Sequence, residues 1–458
     1  MRRERNSRKR PAPARRRYVL IAAALLAAAA LTVILAQPPA DVAVSPATLK
    51  PRTAGSEVEA LAQIAPHTRP GAYNLLVERY LPLRAGPDAQ SEVIGRITAG
   101  DQVTVLDWVG AYTLVRSNRT GVTGYAVGGF LAPAEADAFL AREGVVDVSQ
   151  QLYGYDDMRA DLAALRERYP DLLALGSIGT TPDGREIPVA VAGNPDASVH
   201  FLIHASIHAR EYMCTLLVMK QLEAFLSEYE TGDPALRDVV FHVIPMANPD
   251  GVAISQQGPE AILDPALHEG LVRIYERERE AGNTDLSQRD YFSKWKANAR
   301  GVDLNCNYDA RWEDIGGPSD PSSSGYKGEA PESEPETQAL ARYTREHRFA
   351  GTISYHAYGS GYFWDFGQQG ALREKTRRLA WLVQSVSGYL PLEEILGGDS
   401  AGGYKDWAIE KMSIPSLTIE IGTTSCPMSI REFPSLWERN REIWTVAAQW
   451  AAGTAVIG

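Results

Sequence analysis

Residues 199–211 read VHFLIHASIHARE. VHFLI is a nearly continuous apolar run, the pattern of a strand buried on both faces of a sheet. Beyond it the chain places His204, His208, Arg210 and Glu211 within eight residues. Packing alone does not call for a histidine three residues before a glutamate where a buried strand stops. If a helix begins here, residues three apart share a face, so His208 and Glu211 can reach one point. Imidazole nitrogen and carboxylate oxygen are both zinc donors, and a catalytic zinc takes three protein ligands and keeps one position open. His-x-x-Glu recurs by chance, so a structural histidine beside a surface glutamate is the competing reading until a third ligand is found. His204 reads as structural.

The surrounding sequence alternates strand and helix patterns. Met158, Leu162, Leu165 and Tyr169 recur at helical spacing, and Pro170 stops that helix. TPDG (181–184) reads as a hairpin turn. Residues 213–226 read as a helix, and DVVFHVIPM (238–246) as another buried strand ended by NPDG (248–251). Residues 313–336 are rich in Gly, Pro and Ser and read as surface loop. Strands alternating with helices imply an α/β domain over 150–455, with a mixed, largely parallel central sheet flanked by helices.

The N-terminal third is different. Residues 1–17 hold nine of the chain's 46 basic side chains and one of its 57 acidic ones; the rest of the chain keeps 37 and 56, a net charge of −19. So acidic a body argues against a nucleic-acid partner. Residues 18–36 are 19 residues without a charge, long enough to span a bilayer core of about 30 Å. With the basic tail before them they read as a transmembrane signal anchor, the body lying on the extracytoplasmic side of a bacterial cell membrane. A cleaved signal peptide, giving a secreted protein, is the alternative. Residues 37–70 read as a linker. Residues 71–134 carry short strands with turn signals every 8–12 residues, as in QVTVLDWVG, where Val103 and Val105 alternate with polar neighbours. LPLRAGPDAQSEVIGRITAGDQVTVL and TGYAVGGFL resemble the bacterial SH3-like domains of wall-associated proteins. The resemblance implies a small all-β barrel that binds cell-wall peptides; a plain spacer is the alternative.

Three further stretches bear on the site. GTISYHAYG (351–359) puts His356 at the end of a strand-like run, 145 residues after Glu211. SIPSLTIEIG (413–422) puts Glu420 inside an otherwise apolar strand, where a carboxylate is costly unless paired, metal-bound or functional. KWKANARGVDLNCNYD (294–309) carries Asp303 and Asn305 after a basic cluster. With HARE, NPDG and GGYKDW, and in this order, these stretches resemble the zinc carboxypeptidases over roughly 290 residues, from YGYDDM to REFPSLWERN. The resemblance implies one Zn2+ per chain held by His208, Glu211 and His356. It implies hydrolysis of peptide bonds by zinc-activated water, with Glu420 as general base. Asp303 would orient His208. Arg210 and Asn305 would bind substrate. Lys296 stands where the family has an oxyanion-stabilising arginine, and offers a point charge in place of a bidentate fork.

Two departures matter. The family's LNRN, whose arginine grips a C-terminal carboxylate, is LNCN here, with Cys306 in the arginine's place. A mobile tyrosine over the site aligns with Gly398. Lys405, in GGYKDW, falls where the family selects the residue after the scissile bond, and a lysine there would favour an anionic group; a solvated lysine at the rim is the competing reading. These features resemble most the bacterial γ-D-glutamyl-L-diamino acid peptidases. The expected substrate is the peptidoglycan stem peptide, cut at the γ-D-Glu–diamino acid bond by a monomeric enzyme. The alternatives are an exported carboxypeptidase acting on acidic C-termini, or an inactive wall-binding protein. The resemblance also puts Cys306 on the pocket wall, and Cys426 follows Glu420 by six residues; a Cys306–Cys426 disulfide is the expectation, against unpaired thiols or a thiol that modulates zinc.

Overall fold

The fold is that of a computed structural model, which describes residues 71–75, 80–88, 90–98, 101–109, 112–127, 131–133, 144–393, 402–422 and 425–453. The basic tail 1–17, the apolar segment 18–36, the linker 37–70 and Gly398 lie outside the described residues. Among the described residues no helix is long and apolar enough to cross a membrane.

The N-terminal β domain contains β1 (Gly71–Leu75), β2 (Tyr80–Arg84), β3 (Val93–Thr98), β4 (Gln102–Val109), β5 (Tyr112–Ser117), β6 (Thr123–Val127) and β7 (Leu131–Pro133). They form one sheet in the order β3-β2-β6-β5-β4-β1-β7. Its core is Leu81, Leu83, Ile97, Val103, Val105, Val115, Ala126 and Leu131. Val103 and Val105 are both fully buried, as the two-residue alternation of β4 requires.

The larger domain runs α1 (Tyr155–Arg168), β8 (Leu173–Thr180), β9 (Glu186–Ala192), β10 (Val199–Ala205), α2 (Met213–Glu228), β11 (Val239–Ile244), α3 (Pro249–Gln257), α4 (Pro265–Glu280), α5 (Gln288–Ser293), α6 (Pro335–Glu346), β12 (Phe349–Ala357), β13 (Gly361–Phe363), α7 (Gly370–Ser387), β14 (Leu390–Pro391), α8 (Tyr404–Glu410), β15 (Ser416–Ile421), α9 (Phe433–Asn440) and α10 (Ile443–Ala451). Its eight strands are ordered β14-β13-β15-β12-β10-β11-β9-β8. The centre, β15-β12-β10-β11, is parallel throughout. Antiparallel pairs flank it: β8 with β9 and β9 with β11 on one side, β13 with β15 on the other. The sheet is therefore mixed with a parallel core.

The apolar run of β10 follows from its two covered faces. Phe201 and Ile203 join one core with α1, α2, α7, α9 and α10, while Leu202 joins a second core with α6 and α8. β11 is buried along its whole length for the same reason. A third cluster packs Ala209 against Ile254, Leu271, Phe292 and Trp295 of α3 to α5 and the loop after them.

The two Pro-Asp-Gly turns meet in space. Asp250, at the start of α3 and fully buried, accepts from the Thr181 hydroxyl and from the Asp183 amide, both at 2.8 Å, and pairs with Arg185 at 2.7 Å. Removing one partner of a buried ion pair leaves an uncompensated charge, at a cost of about 3–5 kcal/mol. Arg185→Met should lower unfolding free energy by that order in urea titrations of the catalytic domain; a loss under about 1 kcal/mol would mean that the pair is solvent-screened.

Candidate active site

Ligands distant in sequence come together at the carboxyl ends of the central parallel strands, where open α/β sheets bind their ligands. His356 is the penultimate residue of β12 and Glu420 the penultimate residue of β15, and the ladder pairs the two directly. β10 ends at Ala205. Ser206 then turns the chain in a left-handed conformation (φ 51°), with its hydroxyl donating to the Glu211 carbonyl at 3.1 Å and lying 2.7 Å from the Thr215 hydroxyl.

His208 precedes a short 3₁₀ turn, Ala209–Glu211, and only from Met213 is the chain an α-helix. The expected helix start is thus a tighter turn, in which side chains three apart eclipse one another. His208 Nδ1 lies 2.9 Å from Glu211 Oε1, and His356 Nδ1 lies 3.1 Å from His208 Nδ1 and 3.2 Å from Glu211 Oε2. The three side chains are buried, and one donor atom from each falls within 4.8 Å of the others. Glu211 Oε2 also accepts from the Ala357 amide at 3.0 Å.

These residues fit a zinc ion. Asp303 Oδ1 stands 3.2 Å from His208 Nε2, so the proton of a neutral His208 belongs on Nε2. Its Nδ1 is then a lone pair aimed at a carboxylate oxygen and a second imidazole nitrogen. A cation satisfies that cluster of acceptors. Asp303 is held in turn by the Gly325 amide, 3.0 Å from Oδ2. Burial opposes ionisation of Asp303, but His208 and Lys296 outweigh it and hold its pKa well below the usual carboxylate range. Burial likewise opposes charge on Glu211, and His208 and His356 outweigh it and hold it down. His208 is raised above its ordinary value, the carboxylates of Glu211 and Asp303 overcoming burial. His356 is lowered, chiefly by burial.

Glu420 faces this cluster. Burial, then the Glu211 carboxylate, pushes its pKa up to about 8, against the pull of His208, Lys296 and Arg210. The chain opposite is kept bare: a Cβ on Gly359 would stand 3.0 Å from Glu420 Cβ. Lys296 lies in a loop whose backbone is fixed on both sides, its amide donating to the Ser323 carbonyl at 2.9 Å and its carbonyl accepting from Ala209 at 3.0 Å. Among the described residues its ammonium has no carboxylate within ion-pair distance, while Asp303 and Glu211 overcome burial to keep it charged. Arg210 reaches only the Lys294 carbonyl, at 3.4 Å, and its buried Nε has no partner among the described residues. Asn305 Oδ1 accepts from the Tyr404 amide at 3.1 Å, capping α8.

Two expectations are corrected. Lys405 is not a free countercharge in the pocket. It is buried, its ammonium 2.5 Å from Asp406 Oδ1 and 3.0 Å from the Asp365 carbonyl, so its charge is answered inside the fold. Cys306 and Cys426 form no disulfide: Cys214, Cys306 and Cys426 are all free, and the Cys426 thiol lies 3.2 Å from the Arg210 carbonyl instead.

The sequence did not single out Asn248. Its amide donates to the carbonyls of Ile207 (3.1 Å) and Ala297 (3.2 Å), tying the ligand loop to the Lys296 loop, while Oδ1 accepts from Gly251 to cap α3. The NPDG quartet is the available signal: it marks a strand end and one of the family's motifs, but assigns Asn248 no role. Gly325, within the long loop, had no signal.

The family model described as zinc carboxypeptidase matches residues 158–443, and that described as bacterial SH3 domain matches residues 79–132. The chain belongs to the zinc carboxypeptidase family and is a zinc-dependent peptidase carrying an SH3-like domain. It is 32% identical over 299 residues to gamma-D-glutamyl-L-diamino acid endopeptidase 1 of Lysinibacillus sphaericus, covering 63% of this chain and 70% of that protein. Carboxypeptidase B of Astacus astacus is 24% identical over 286 residues, covering 59% and 86%. The solved structure of bovine thrombin-activatable fibrinolysis inhibitor, in complex with tick carboxypeptidase inhibitor, superposes with a TM-score of 0.52 at 19% identity, covering 67% of this chain and 98% of that one.

Asp303→Asn should weaken zinc affinity about 10- to 100-fold, read by competition with a chromogenic chelator; unchanged affinity would remove Asp303 from the metal's support. A thiol titration of denatured, unreduced protein should find all three cysteines; a single reactive thiol would restore the disulfide.

Proposed function

We propose that this chain hydrolyses peptidoglycan stem peptides at the bond between γ-D-Glu and the diamino acid. The likeness to the Lysinibacillus sphaericus endopeptidase carries the reading. The substrate-facing wall agrees with it: Arg210 and Asn305 are present, and Cys306 stands between Asn305 and Asn307 where a carboxypeptidase needs an arginine for the C-terminal carboxylate. Losing that fork removes about 1.5–3 kcal/mol of charge-assisted binding to a free C-terminus. A stem peptide offers carboxylates elsewhere, on D-Glu and on the diamino acid, for Arg210 to meet.

His208, Glu211 and His356 would hold the zinc, which when bound polarises the scissile carbonyl and acidifies water. The chain's own groups do the rest. Glu420 takes a proton from the attacking water and returns it to the leaving amine. Glu420 would be ionised at neutral pH with a cation held beside it, its pKa drawn down from the raised value. Lys296 places its ammonium where the carbonyl oxygen becomes negative. Asp303 keeps His208 in the ligating tautomer.

Residues 18–36 anchor the chain in the cell membrane, or are cleaved to release it. The body then lies outside, and the SH3-like domain over 71–134 brings the catalytic domain over 150–455 to wall peptides. The enzyme works as a monomer.

Mass spectrometry of disaccharide-tripeptide and disaccharide-tetrapeptide muropeptides incubated with the zinc-loaded protein tests this. The diamino acid portion should leave as one unit, exposing L-Ala-D-Glu ends, and Glu420→Gln should abolish the release. Intact stems together with trimming of ordinary acidic peptides would make the chain a carboxypeptidase instead.

A further inference from the structure

The Lys296 loop leans on a buried pair of glutamates that the mechanism does not use. Asn298, two residues beyond Lys296, is fully buried and organises the turn that follows. Its Oδ1 accepts from the amides of Arg300 (3.0 Å) and Val302 (3.1 Å), its amide donates to the Val302 carbonyl (2.9 Å), and its carbonyl accepts from the Trp295 indole (3.2 Å). Both protons of its side-chain amide go to carboxylates: Glu334 Oε2 at 2.8 Å and Glu336 Oε2 at 3.2 Å. Glu334 and Glu336 are 4% and 2% exposed.

Two buried carboxylates on one neutral amide cannot both ionise without large cost. Their surroundings decide which one does. Glu334 has partners for a charge: the Ser333 hydroxyl at 2.9 Å from Oε1, and Arg300 at 3.7 Å from Oε2. Glu336 has fewer. Its Oε1 is buried with no hydrogen-bond partner among the described residues. The charges that act on it are anionic, Asp250 of α3 and Glu334 of its own segment, and Tyr308 stands nearby as a neutral phenol. Its own backbone amide, at the start of α6, is the opposing influence beside Asn298. Arg185 is taken up by Asp183 and Asp250.

We propose that Glu336 is a positioning residue for the peptidase reaction, holding the Lys296 loop through Asn298 in its protonated form and releasing it on ionisation. Burial, with Asp250 and Glu334, pushes the Glu336 pKa up to about 8. An acid raised this far in the folded state favours the fold fully below its ordinary value. That contribution is lost as the pH climbs to about 8, and the folded protein itself changes only at the top of that window. There a second buried anion forms beside Glu334, and repulsion between the two carboxylates drives apart the pair that the Asn298 amide joins, taking its turn with it. Lys296 then loses its fixed place. The inference rests on the assignment of Lys296 to the carbonyl oxygen, not on the identity of the substrate.

The test is the pH dependence of hydrolysis of whichever peptide the zinc-loaded protein cleaves. Wild-type kcat should fall about tenfold between pH 7 and 9, as one ionisation near 8 dictates, with KM changing less. Glu336→Gln keeps a neutral group in place, and its kcat should stay flat over that interval. A Glu336→Gln profile that overlays the wild type overturns the proposal. If Glu336→Gln does not fold, difference infrared spectroscopy decides, on the Glu420→Gln protein so that the general base does not contribute. A protonated-carboxyl band lost between pH 7 and 9 supports the proposal, and its absence at pH 7 overturns it. Failure to cleave muropeptides would sink the substrate reading alone.

Discussion

The parallel pairing of β10, β12 and β15 determines where every reactive group stands. A parallel ladder aligns the carboxyl ends of its strands, so residues just before or after those ends share one crevice. His356 and Glu420 are register partners, and His208 follows β10 by three residues. A slip of one residue between β12 and β15 would turn either group to the other face of the sheet. Both faces are filled with apolar side chains, which makes such a slip costly. The hydrophobic cores therefore act on catalysis through register, without touching substrate.

The chemistry concentrated in this crevice explains why the sequence was legible there. A buried strand accepts His356 or Glu420 only for a reason, so TISYHA and LTIEIG stand out against their own patterns. HARE did so after VHFLI for the same cause. Helices such as α1 followed from spacing and a stopping proline. What could not be read depends on long-range placement. The 3₁₀ turn at Ala209–Glu211 arises because Ser206 bends the chain and Lys296 takes the Ala209 amide, neither of which is local information. Lys405 looked available because its partner is its sequence neighbour, Asp406, and adjacent charges on a helix do not ordinarily face each other. The cysteines were close in function space but not bonded, since pairing depends on geometry that spacing does not encode. Of the antiparallel pairs only β8–β9 follows from a short connection, the TPDG turn; β9–β11 and β13–β15 join strands distant in sequence.

Buried charge is unusually dense around the Lys296 loop. Asp303, Glu334, Glu336 and Asp250 all lie in or beneath it. Each is stabilised differently: by histidine and lysine, by a hydroxyl and an arginine, by a proton, and by Arg185. At the ligand cluster it is Glu211 and Asp303, both held ionised, that favour a divalent cation. The same two carboxylates keep Lys296 cationic against its burial.

The Asn248 amide ties the two halves of the site together. One side chain bridges the carbonyls of Ile207 and Ala297, so the segment bearing the metal ligands and the segment bearing the oxyanion lysine are cross-linked from beneath. They cannot separate without breaking two buried hydrogen bonds together. The spacing of the two backbone segments is thus a property of the resting protein, established when the chain folds. While Glu336 keeps its proton, substrate meets a finished frame, and little reorganisation is left for the moment of bond cleavage.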